Sequence, residues 1–187
     1  MQLDQLPLIM DEELDNDEPM SFPGYHLEMS DIDSFLKFWS ICTQTCWHRS
    51  LILAGNRLLQ TQTREGDSIR EDRLIDLMIA CEALVLDGEN VKGDNIARRV
   101  GKLQKQKMPH LEKEAIDNLK LAYRLRNDAV HDGEFSPERL AKEVPFADRF
   151  LMYIEQFLRI GMTNYIELMN QGQSKKQIIQ YLDGPQI

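Results

Sequence analysis

Residues 71–88, EDRLIDLMIACEALVLDG, carry apolar side chains at Leu74, Leu77, Met78, Cys81, Leu84 and Val85 and close on Asp87-Gly88. Steps of three and four residues put these side chains on one stripe of an α-helix, and glycine supplies the left-handed backbone that stops a helix at little cost. The spacing predicts a central, core-forming helix. The same period recurs on both sides of it, and no convincing series of alternating residues marks a strand anywhere in the chain.

Upstream, Ile32, Phe35, Leu36, Trp39, Cys42, Cys46, Leu53 and Leu58 continue the helical spacing, which predicts one long helix from Ser30 or Asp31 as N-cap to about Arg64. Downstream, a helix near Asp94–Lys107 stops at Met108-Pro109. Another follows it to His131, with Ala115, Leu119, Ala122, Tyr123, Leu125 and Val130 as its apolar positions. Ser136 with Pro137 opens the next, Pro145 kinks or restarts it, and SKKQIIQYLDG forms a short last helix. The expected fold is all-α, a bundle of five to six helices over residues 31–187. Residues 1–30, with Pro7, Pro19, Pro23 and Gly24, read as an acidic, largely irregular lead-in.

A chain of 187 residues, 42% of them hydrophobic, has enough apolar surface for one real core. No apolar run approaches the roughly 18–20 residues of a membrane span, and no secretory signal opens the chain, so a cytoplasmic location without membrane contact is expected. Cys42, Cys46 and Cys81 are odd in number and lie in apolar helical patterns, which suits reduced, buried thiols. Cys42 and Cys46 share a helix face, but His48 points elsewhere and no fourth ligand is near in sequence, so no metal is expected. Phosphate-loop, dinucleotide and zinc-protease motifs are all missing, and no cofactor is expected.

The net charge of −9 is unevenly placed. Residues 1–33 hold ten acids and no Lys or Arg, which leaves 22 bases against 21 acids in the remainder. Within that nearly neutral body, Lys92, Arg98, Arg99, Lys102, Lys105 and Lys107 stand against Asp94 alone. Such a run is either a solvated helix face or a track for an RNA backbone.

Residues 124–133, RLRNDAVHDG, gather Arg126, Asn127 and His131 just ahead of Gly133. One reading is a helix C-terminus, where a cationic histidine meets the negative end of the helix dipole and Gly133 caps. The other is an active site. EDRLIDLMIACEALVLDG, followed about forty residues on by LKLAYRLRNDAVHDG, resembles the HEPN superfamily (higher eukaryotes and prokaryotes nucleotide-binding), in particular its Apea-like branch. An early core helix of that family carries a DRLLDLVIALEALL-like stretch. A later one ends in arginine, a polar residue, three others, then histidine and a glycine, matched here by Arg126, Asn127, His131 and Gly133.

The resemblance covers about Glu71 to Phe135 and implies metal-independent RNA cleavage by a toxin, anti-phage or RNA-processing protein, with the motif doubled across a homodimer. It also puts an acid at Glu82, which would either hold Arg126 or pair with any helix cation. The residue types suit the chemistry. Histidine titrates near neutrality and can move the protons, a forked guanidinium can meet the charge of a pentavalent phosphorane, and the RNA supplies its own 2′-OH nucleophile. Arg126 and His131, five residues apart, diverge by about 140° on an ideal helix, so two motifs facing across a twofold axis would make one cleft. A non-catalytic HEPN module that binds RNA, nucleotide or a partner protein is the alternative. A purely structural oligomerisation module is a third possibility.

Some HEPN toxins carry a tyrosine two residues after the histidine, modified by a partner nucleotidyltransferase. Gly133 stands there in this chain, so control would fall to a cognate antitoxin, another regulatory partner or the acidic lead-in. Deleting Met1–Met29 should therefore raise RNA affinity at low salt, with the gain shrinking as salt is added. Equal affinities of the two chains at low salt would contradict an electrostatic competitor.

Overall fold

The computed structural model describes residues 29–44, 47–63, 69–105, 107–132 and 147–184. They form α1 (Met29–Gln44), α2 (Arg49–Thr63), α3 (Ile69–Val85), α4 (Lys92–Lys105), α5 (Glu112–Asp132), α6 (Ala147–Asn170) and α7 (Lys175–Asp183), with a 3-10 turn at Pro109–Leu111. No strand occurs among the described residues. The chain divides into two compact units, Met1–Gln44 and Thr45–Ile187. The first contains α1, and the second is an all-α bundle of α2–α7. No described helix is long and apolar enough to cross a membrane. The lead-in up to residue 28 and the helix expected at Ser136 lie outside the described residues.

The single helix expected from Ser30 to Arg64 is two, which raises the helix number to seven among the described residues. Thr45, Cys46, Trp47 and His48 are all weak helix formers. Trp47 and His48 are not helical, and the His48 carbonyl accepts the amides of Leu51 (2.9 Å) and Ile52 (3.1 Å), so a new helix starts there. The restart resets the buried face. α2 turns Leu51, Ala54, Leu58 and Thr61 inward, and Leu53, expected on the apolar stripe, is exposed. In α1, Phe35, Leu36 and Trp39 are exposed, and the Phe35 and Trp39 rings stack with centroids 6.3 Å apart.

α3 lies at the centre of the bundle, packed by α2, α4, α5 and α6. Leu74 is 2% exposed, and Leu77, Met78, Cys81, Leu84 and Val85 are fully buried. Not one residue from Glu71 to Leu86 is exposed. Asp76, on the same helix and also buried, pairs with Arg57 of α2 at 2.9 Å, which keeps its charge from being stranded in the core.

α4 and α5 run antiparallel, since Gly101 meets Ile116 while Gly93 meets Tyr123. A Cβ at Gly101 would stand 2.6 Å from Ile116 Cγ1 and 3.3 Å from the Glu112 carbonyl oxygen, and one at Gly93 would stand 2.6 Å from Tyr123 Cδ1. Only glycine permits this approach, and it sets the first turn of α4 beside the later turns of α5. Two buried amides pin α4 to α6: Gln104 Nε2 donates to the Phe157 carbonyl (2.8 Å) and Asn164 Nδ2 to the Leu103 carbonyl (2.6 Å). Along α5, Ala115, Leu119, Ala122 and Leu125 are buried as expected, but Val130 is exposed, about two turns beyond Tyr123, which meets the start of α4 at Gly93.

α6 ends at Gly172, whose φ of 82° suits glycine. Its amide donates to the Met169 carbonyl and that of Gln173 to Leu168, the paired bonds of a Schellman cap. Ser174 and Gln177 form a capping box that starts α7, and Ile178, Ile179 and Leu182 anchor that helix in the core. Gly101→Ala should destabilise the protein by about 1–3 kcal/mol through overpacking, more than the roughly 1 kcal/mol that alanine's helix propensity returns. A lower melting temperature in thermal unfolding is the expected result; an unchanged or higher one would show that Ile116 yields freely.

Candidate functional site

α5 delivers Arg126 and Asn127 to its half-buried flank and His131 to its exposed last turn. The approach of α4 to α5 brings Lys92, the first residue of α4, to the same place, where the C-terminal part of α3 supplies Glu82. Arg126 Nη1 donates to Asn127 Oδ1 at 3.1 Å. Arg126 Nη2 lies 3.6 Å from Glu82 Oε1, while Lys92 Nζ lies 3.8 Å from Glu82 Oε2. Both ion pairs are longer than a hydrogen bond. Arg126 Nε and Glu82 Oε1 are buried and make no hydrogen bond among the described residues. His131 stands one turn beyond Asn127, and no hydrogen bond or ion pair among the described residues joins it to this group. Gly133 lies outside the described residues.

Arg99 offers a comparison within the same fold. It is 3% exposed, its Nε and Nη2 grip both oxygens of Asp183 at 2.8 Å, and Nη1 donates to the Val85 carbonyl (2.7 Å) and to Glu89. All its nitrogens are engaged. Arg126 is half-buried, with one hydrogen bond and a loose pair.

Arg98, Lys102, Lys105 and Lys107 of the basic run are likewise engaged within the chain. Arg98 donates to Asp183 (2.7 Å) and to the Leu182 carbonyl (3.0 Å), and Lys102 to the Gly184 carbonyl (2.6 Å). Lys105 pairs with Glu112 at 3.2 Å and Lys107 with Glu167 at 2.9 Å. Arg98, Lys102 and Arg99 thus meet the negative C-terminal end of α7, and Arg99 also meets that of α3. Cations are favoured at both places because helix ends leave carbonyls without partners. Lys175 adds a donor to the Ala83 carbonyl at 2.9 Å. A phosphate could not reach Arg99 without displacing Asp183. The sequence already held the sign of this, because Arg99 shares the inward face of α4 with Ile96, Val100 and Leu103.

Burial, together with the neighbouring Glu82 charge, pushes the Cys81 thiol up to about 12, so it stays protonated and is no nucleophile. Cys42 is half-buried and unbonded to sulfur, and Cys46 lies outside the described residues. The sequence reading missed the convergence of Lys92 with Arg126 on one carboxylate. The nearby pair of glycines, Gly93 and Gly101, was the available signal for a close α4–α5 crossing.

No known family model, characterised protein or solved structure matches this chain.

Hydrogen bonds from Arg99, opposed by partial burial and reinforced by Arg98, hold the Asp183 carboxyl down to about 2. Because this folded value lies below the ordinary one near 3.9, the contribution to stability is complete above that pH and is lost as pH falls through about 2. Asp183→Asn should therefore lower the melting temperature at neutral pH, and its gap from wild type should close between about pH 4 and pH 2. A gap of constant size across that window would contradict the assignment.

Proposed function

We propose that this chain is a HEPN-type endoribonuclease that cleaves RNA without a metal, in a toxin, anti-phage or RNA-processing role. The observation that carries the reading is Arg126. It is a half-buried guanidinium with a buried Nε that has no hydrogen-bond partner among the described residues and a 3.6 Å pair to Glu82, in a protein whose Arg99 has every nitrogen engaged. A forked cation with donors to spare suits a phosphodiester. Asn127 accepts from Arg126 Nη1 and so fixes the plane in which the fork is presented.

In the proposed reaction the 2′-oxygen of a ribose bonds to the adjacent phosphorus and the bond from phosphorus to the 5′-oxygen breaks. The 2′-OH gives up its proton and the leaving 5′-oxygen gains one. His131 supplies proton transfer near neutral pH, Arg126 meets the charge that builds on the non-bridging oxygens, and the products are a 2′,3′-cyclic phosphate and a 5′-OH. The substrate brings its own nucleophile, so the chemistry needs no metal.

His131 comes to the phosphate from a second copy. In one chain it diverges from Arg126, and a homodimer with the two α5 ends facing each other supplies the missing partner. A cognate antitoxin or regulatory partner would act on this dimer. The lack of a hydrogen bond or ion pair between His131 and the Arg126 group among the described residues also favours the other reading, a HEPN module that binds RNA, nucleotide or a partner protein without cutting.

Incubating the purified protein with total RNA in EDTA tells these apart. Cleavage to 2′,3′-cyclic phosphate ends is expected, with substrates bearing a 2′-deoxy sugar at the cut left intact. His131→Ala should lose roughly a hundredfold or more in rate while still binding RNA, Arg126→Ala a comparable factor plus affinity, and Asn127→Ala less. Mixing the Arg126→Ala and His131→Ala chains should restore part of the activity. Binding without cleavage would favour the module. Activity that vanishes in EDTA and returns with magnesium, or a His131→Ala chain as fast as wild type, would end the nuclease reading.

A further inference from the structure

One carboxylate serves two cations at this site. Glu82 offers Oε1 to Arg126 at 3.6 Å and Oε2 to Lys92 at 3.8 Å, and neither contact is short enough to be a hydrogen bond. Glu82 and Arg126 side chains are 19% and 21% exposed, whereas Lys92 is 47% exposed. On the α4–α5 seam, Lys120 pairs with Asp94 at 3.0 Å. Glu82, Arg126 and Lys92 together carry a net charge of +1 around a half-buried carboxylate.

That carboxylate is a problem for an anionic ligand. A phosphate that approached Arg126 would compete with Glu82 for the same guanidinium and feel its negative charge at close range, where partial burial weakens screening. Lys92 removes the difficulty. Its ammonium is a compact charge on a flexible stem with three donors, and it already stands within reach of the oxygen that Arg126 does not use. We infer that Lys92 is a positioning residue of the Arg126 site, which takes over the Glu82 carboxylate when Arg126 turns its free donors to a phosphate or phosphodiester. This inference rests on the reading of Arg126 as a phosphate contact. It differs from a backbone-tracking role, because Lys92 acts through Glu82 and does not touch the ligand.

The test is a double-mutant cycle read by the Arg126 Nε–Hε resonance of the full, nitrogen-15-labelled chain during titration with inorganic phosphate. Circular dichroism checks folding of each variant, and Lys92 sits at an exposed first helical position where substitution should be tolerated. In wild type the resonance should move on adding phosphate. Lys92→Met should weaken phosphate binding about fivefold or more, and Lys92→Arg should keep it close to wild type. In a Glu82→Gln background, Lys92→Met should have little further effect, because no carboxylate remains to be held.

An equal loss in both backgrounds would show a general surface charge and overturn the inference. So would a Lys92→Met chain that binds like wild type, or a wild-type resonance that phosphate leaves in place. RNA cleavage by wild type is scored separately. Cleavage without coupling between Lys92 and Glu82 keeps the nuclease and overturns the role of Lys92; coupling without cleavage keeps that role and removes the nuclease.

Discussion

A helix at the centre of a bundle must find partners for the polar groups it buries, and in α3 Asp76 and Glu82 are two of those groups. Burying an unpaired carboxylate costs several kcal/mol, so the surrounding helices have to bring cations inward. The two acids are treated differently. Asp76 meets Arg57 at 2.9 Å, within hydrogen-bond distance. Glu82, near the end of the helix, meets two cations at 3.6 and 3.8 Å, and the looseness of those contacts leaves Arg126 with donors to spare. The same burial that makes α3 the centre of the bundle thus supplies the acid around which the candidate site is arranged.

Backbone approach decides who attends that acid. Gly93 and Gly101 let α4 lie against α5 closely enough for the first residue of α4 and a late residue of α5 to reach one carboxylate of α3. Farther along α4, cations perform a different task. They occupy the carbonyl-rich ends of α3 and α7, where fixed partial negative charge favours them, and convert a basic sequence into cross-links between helices. One helix therefore contributes an exposed, loosely paired cation at its start and cations bonded to other helix ends farther along.

Much of the fold was legible in the sequence because helical spacing reports which side of a helix faces its neighbours. The stripe of α3 is buried as that spacing implies, as are Ala115, Leu119, Ala122 and Leu125 of α5. Val130 and Leu53 depart from the pattern because spacing says nothing about where a covering helix begins or where a helix restarts. The six basic residues were visible, but their partners were not. Arg99 is tied to Asp183, 84 residues away, and Lys107 to Glu167, 60 residues away, and no local pattern encodes such pairings. Arg126, Asn127 and Glu82 were singled out by resemblance and do come together, while no hydrogen bond or ion pair among the described residues ties His131 to them.

The junction of Arg99 with Asp183 bears on the order in which the chain can be made. Synthesis proceeds from the N-terminus at about 5–20 residues per second, so on the order of ten seconds separates the emergence of Arg99 from that of its carboxylate partner. During that interval Arg99 already has Glu89 and the Val85 carbonyl, but Arg98 and Arg99 lack Asp183, and Lys102 lacks the Gly184 carbonyl. A nascent chain at that stage would present, beside the ribosome and its polyanionic RNA, cations that the folded protein holds against Asp183 and Gly184.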